Sequence, residues 1–77
     1  MTTPKPTTLD VRPILARGEE PFSLIRARVD ALAPSEGVTV IAPFMPAPLI
    51  ELLKGEGFLL TVEHRGDGTW SVLIRRP

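Results

Sequence analysis

A chain of 77 residues makes one domain, close to the lower size at which a single hydrophobic core holds a fold without disulfides or metal. Nine basic residues balance nine acidic ones, cysteine is absent, and His64 is the single histidine. That inventory excludes thiolate chemistry, sulfur-bound metal, a multi-histidine site within one chain, and a global field drawing the protein to nucleic acid or anionic membrane.

The first eight residues, "MTTPKPTT", have neither helical nor strand periodicity and read as a flexible leader ahead of a single domain from 9 to 77. They contain no apolar core of a secretion signal, and the longest apolar runs fall far short of the roughly 18 residues of a membrane span. The expected location is therefore cytoplasmic. "TLDVR", Thr8 to Arg12, gives a short strand with Leu9 and Val11 on one face, ended by Pro13, which cannot donate to a sheet ladder.

From Pro21 to Ala33, Phe22, Ile25, Val29 and Leu32 recur at steps of three and four, as an amphipathic helix requires. Pro21 suits the first helical position, and Glu19 and Glu20 place negative charge where it complements the helix dipole. Pro34 and Gly37 stop the helix. "VTVIAP", Val38 to Pro43, is apolar on both faces, as in a central strand. The proline-punctuated "PFMPAP" leads to a second helix, about Ala47 to Lys54, with Leu49, Ile50, Leu52 and Leu53 as its buried stripe. "FLLTVEH" and "TWSVLIR" flank "RGDG", a hairpin turn in which aspartate and glycine tolerate positive φ. Phe58, Leu60 and Val62 share one face with Trp70, Val72 and Ile74 as the core side of the hairpin.

The order is strand, helix, strand, helix, strand, strand. It predicts an α+β two-layer sandwich, β-α-β-α-β-β, with a four-stranded mixed sheet and two helices on one face. The other face, with Thr39, Thr61, Glu63, Ser71 and Arg75, is predicted to be bare.

"LDVR" at the first strand, "EEPF" at the first helix, the turn Pro43 to Pro48 and "GDG" followed by Trp70, Val72 and Ile74 resemble the TusA/SirA-like family of small bacterial proteins. They are most similar to an uncharacterised branch of that group, a bacterial domain-of-unknown-function family, from about Leu9 to Arg76. The resemblance implies a two-layer sandwich that in TusA serves persulfide relay through a Cys-Pro-x-Pro motif at the start of the first helix. Matched from the helix side, the second motif proline falls on Pro21, the first on Glu19, and the cysteine on Gly18. With no cysteine in the chain, the sulfur-transfer activity does not carry over.

Two stretches are candidate sites. Arg12, Arg17, Gly18, Glu19, Glu20 and Pro21 surround a helix start whose free N–H groups could hold a small anion, with Gly18 allowing close approach; the alternative is an ordinary helix start. Phe44, Met45 and Pro46 offer large apolar side chains in a stiff turn, as a recognition edge or as the closure of the core. Glu19 and Glu20, adjacent in sequence, diverge too much for a general acid/base pair. His64 reads as a solvated side chain or as one ligand of a metal shared across a symmetric dimer. Arg12, Arg17, Arg26 and Arg28 could form a positive rim for RNA or a phosphorylated ligand, although no aromatics are interleaved with them.

The expected function is a small binding or protein-interaction module, with no catalytic residue, cofactor or metal and with a protein or small ligand as partner. A homodimer is open to it. The alternatives are an accessory or carrier domain of a partner-dependent enzyme, and an RNA-binding domain.

Overall fold

The computed structural model describes residues 7–77; most of the expected leader lies outside them, and its last two residues, Thr7 and Thr8, are already strand. The chain runs through β1 (Thr7–Asp10), α1 (Arg12–Ala16), α2 (Phe22–Asp30), β2 (Gly37–Ala42), α3 (Ala47–Gly55), β3 (Leu59–His64) and β4 (Trp70–Arg75). The sheet order is β1-β2-β4-β3, with β1 parallel to β2 and the other pairs antiparallel. This is the predicted two-layer α+β sandwich with a mixed four-stranded sheet, extended by one short helix.

The extra helix is a correction at Arg12 and Pro13. Arg12 opens α1 instead of closing a strand, and Pro13 sits in its first turn, where a missing N–H costs nothing because no intrahelical acceptor precedes it. The ladder itself continues one bond past β1, with the Val11 N–H donating to the Ile41 carbonyl at 3.0 Å. α1 contributes Ile14 and Leu15 to the margin of the core.

Register shows how the faces divide. Leu9, Val40 and Val72 lie in one row across β1, β2 and β4, and Val38 pairs with Ile74 in the next. All five are buried, together with Ile25 and Val29 of α2 and Leu49 and Leu53 of α3. That face is therefore the one the helices cover, with α2 on β2 and α3 on β3. The opposite face carries Thr8, Thr39, Ile41, Thr61, Glu63, Ser71, Leu73 and Arg75, none of them buried, as predicted for a bare face.

Two helix residues depart from the predicted stripes. Leu52 is 54% exposed and Phe22 is 46% exposed. Each sits on the flank of its helix, where a stripe read at steps of three and four is wider than the surface the sheet covers. The end of the sandwich opposite the pocket described below is closed by the C-terminal segment. There the Arg76 guanidinium donates to the Val29 carbonyl at 3.2 Å and lies 5.1 Å above the Phe58 ring. Arg26 ties the helices together, donating to Glu56 at 2.7 Å and pairing with Asp30 at 3.2 Å.

Candidate functional site

The residues singled out before α2 form a self-satisfied turn. Backbone N–H groups of Gly18 and Glu19 donate back to the carbonyls of Leu15 and Ile14 at 3.0 and 3.1 Å, closing α1 with Gly18 at φ +77°. A left-handed residue just past a helix end is the usual place for glycine. The end of α1 thus accounts for Gly18 without a ligand.

Glu20 stands one residue ahead of the N-cap Pro21. Its carboxylate accepts from the Phe22 N–H, from the Ser23 N–H at 3.3 Å and from the Ser23 hydroxyl at 3.0 Å. The N-terminus of α2, which could have held an external anion, holds the protein's own. Glu19 pairs with Arg17 at 3.0 Å. Arg12 donates through its backbone N–H at 3.0 Å and its guanidinium at 2.7 Å to Asp10. That pair holds the Asp10 carboxyl below its ordinary value and raises Arg12. Three of the four arginines of the predicted rim, Arg12, Arg17 and Arg26, are therefore neutralised by neighbouring carboxylates.

The apolar members of the two candidate stretches meet. Beyond the carboxyl ends of β1 and β2, a pocket of about 80 Å³ is lined by Val11, Leu15, Pro21, Phe22, Ile25, Val40, Ala42, Phe44, Pro46 and Leu49. Each element contributes for a local reason. β1 and β2 run parallel, so the heads of α2 and α3 both return to this end of the sheet. At the second head the Ala47 N–H donates to the Met45 carbonyl at 2.9 Å, and Pro46 has φ −81° and ψ 66°. That is an inverse γ-turn; it buries Pro46 and leaves Phe44 52% and Met45 47% exposed. Every lining residue is apolar, so the pocket offers neither a proton-transfer group nor a ligand for a metal.

The volume is well below the several hundred Å³ of typical cofactor pockets, and it suits a single apolar side chain. In open α/β sheets, ligands commonly bind outside the carboxyl ends of parallel strands, which is where this pocket lies.

His64 stacks on Trp70 with ring centroids 4.2 Å apart and planes 13° from parallel. Trp70 is half-buried instead of fully core, since it occupies the row at the end of the sheet, opposite Ala42 and His64. Among the described residues, no three His, Asp or Glu side chains come together as a metal ion would require.

A family model described as an uncharacterized conserved protein (DUF2249) matches residues 8–76. The chain belongs to that family. Neither the curated proteins nor the solved structures gave a match. The match takes in all seven elements of the DUF2249 domain apart from Thr7, and with them both proline-rich turns that build the pocket. What sequence reasoning missed was that these turns share one cavity. The signal available was that each turn follows a strand of the same parallel pair.

Proposed function

We propose that this DUF2249 domain is a non-catalytic interaction module that holds one large apolar side chain of a partner protein at the carboxyl ends of β1 and β2. The observation that carries the reading is the pocket itself: ten lining residues, all apolar, with half-exposed Phe22 and Phe44 at its mouth. Phe22 and Phe44 line the pocket and Met45 follows Phe44 in the chain, all three about half-exposed, and grouped exposed apolar side chains mark interaction surfaces. The stiff γ-turn presents Phe44 and Met45 with little backbone entropy left to lose on binding. The turn flagged for anion binding contributes Pro21 and Phe22 as a wall of this pocket, while its charged residues pair with one another outside it.

We also read the scaffold as TusA-like. Support comes from the strand and helix order and from the position of Gly18, just ahead of α2, where the resemblance puts the relay cysteine. Without cysteine the end of the sheet that presents a sulfur nucleophile in TusA presents apolar surface here. Extra residues between β1 and α2 are taken up by α1. The RNA-binding alternative loses weight because the arginines nearest this end are engaged with carboxylates.

Peptides selected from a random-sequence phage library on the immobilised chain provide the test. The expected peptides share one bulky aliphatic or aromatic residue and shift the amide resonances of Leu15, Phe22 and Phe44. Phe44→Ala, at an exposed position, is expected to weaken them at least tenfold without loss of stability. Peptides that perturb Thr39 and Leu73 on the bare face instead, or that bind Phe44→Ala unchanged, would overturn the proposal.

A further inference from the structure

We infer that a second copy of this chain pairs antiparallel along β3, joining two sheets into one of eight strands. The starting observation is Val62. It sits on the helix-covered face, in the row of Val72, Val40 and Leu9, whose members are 7% exposed or less, yet Val62 is 39% exposed. A β-branched side chain on the core face, left open at the sheet edge, is a row that stops one residue short of a partner.

The two edges of the sheet are also unlike. β1 runs straight into α1, with Val11 alone between Asp10 and Arg12. Shortness, proline, lysine, and a helix or loop taking over at the edge are the usual defences of an edge strand. β3 has six residues and none of these defences, and five of the six are exposed.

Its sequence is self-complementary. A two-fold axis perpendicular to the sheet keeps the helix layers of both copies on one side, so only residues of like face can pair. With Thr61 opposite the partner's Thr61, Leu60 falls opposite the partner's Val62 and Leu59 opposite the partner's Glu63. On the core face the row then reads Val38, Ile74, Leu60, followed by Val62, Val72, Val40 and Leu9 of the second copy. Beyond Val38 the row ends in Thr7 of β1; from Val38 to the second copy's Leu9 it is apolar throughout, and it covers Val62. On the bare face, threonines meet at the axis. Glu63 of one copy lies opposite Leu59 of the other, with Arg75 of that copy in the next strand of the row, so no like charges face each other across the seam. Moving the axis by one residue of the same face, to Glu63, would set like charges directly opposite each other, which is unfavourable.

The arrangement has a functional consequence that rests on the proposed pocket. β1 and β2 lie at the outer edges of the joined sheet, so the two pockets point to opposite ends and stand roughly 30 Å apart across it, at about 4.8 Å per strand. A dimer of this shape is bivalent and bridges two partner segments.

Sedimentation equilibrium of the full chain over a concentration series, with three variants, tests the pairing separately from the pocket. The wild type is expected to dimerise reversibly, and Thr61→Lys to raise the dimer dissociation constant at least tenfold with an unchanged circular dichroism spectrum. Because the chain has no cysteine, Thr61→Cys is expected to cross-link rapidly on mild oxidation and Thr8→Cys, on the opposite edge, much more slowly. A wild type that stays monomeric to millimolar concentration, a dimer indifferent to Thr61→Lys, or equal cross-linking of the two cysteine variants would each overturn the inference. None of these results depends on peptide binding at the pocket.

Discussion

Leu53 and Leu52 are neighbours on α3 with opposite environments, and replacing each by alanine measures how the core is partitioned. Leu53 is 0% exposed and its carbonyl accepts the Phe58 N–H at 3.1 Å, so it anchors both the helix and the entry to β3. Truncation to alanine removes three carbon groups. At about 0.8 kcal/mol each, the transfer cost is about 2.4 kcal/mol. A residual cavity of about 60 Å³ would add roughly 1.5 kcal/mol at about 24 cal/mol per Å³. The expected loss is therefore about 2.5 to 4 kcal/mol, a large share of the 4 to 12 kcal/mol that holds a domain of about this size. In urea unfolding followed by circular dichroism, Leu53→Ala is expected to move the midpoint with an unchanged slope. Its melting temperature is expected to fall by more than about 10 °C. Leu52→Ala is expected to cost under about 0.5 kcal/mol. A loss under about 1 kcal/mol at Leu53, or equal losses at the two positions, would refute the face assignment of α3 and the packing built on it.

Ile25, 3% exposed, is expected to behave like Leu53, with a loss of roughly 2 to 5 kcal/mol for Ile25→Ala in the same urea assay. Glu20→Ala leaves the first N–H groups of α2 without their carboxylate, so a loss of about 1 kcal/mol is expected, with faster hydrogen exchange at Phe22 and Ser23 as its local signature. Asp10, Glu56 and Asp67 all have their carboxyls held below the ordinary values of 3.8 and 4.5, chiefly by hydrogen bonds from Arg12, Arg26 and Thr69 respectively. A group depressed in the folded state stabilises it above the unfolded-state value and loses that contribution as pH falls through the folded one. Urea midpoints are therefore expected to stay level from pH 7 to about 5 and to decline below about pH 4.5. The double variant Asp10→Asn, Glu56→Gln should decline less steeply, and an equally steep decline would show that these pairs do not stabilise the fold.

Much of the fold was legible because its signals are local. The alternation in "TWSVLIR", the three-and-four spacing from Phe22 to Val29, and the Asp-Gly turn each lie within a dozen residues, and each element formed to within a few residues of its predicted bounds. α1 was not legible, since a five-residue helix is little more than one turn of 3.6 residues, too short for a spacing to recur, and its proline reads as a strand terminator. Of the candidate site, both turns were visible as unusual stretches. Their charges and their glycine turned out to serve helix ends, while their apolar residues formed the pocket.

The amino-acid sequence by itself determined which segments other than α1 are helices and strands, the main apolar face of each, and that thiol chemistry is absent, because propensity, periodicity and composition need no partner. Only the tertiary structure decided that Pro21 and Phe22 share a cavity with Phe44 and Pro46. Their convergence follows from the parallel pairing of β1 with β2, which sends two helix heads to one end of the sheet. It also decided that Val62 is left open. Val72 beside it is fully buried while Val62 is not, because β3 is the last strand of the sheet and a side chain there has no neighbouring strand on its outer side.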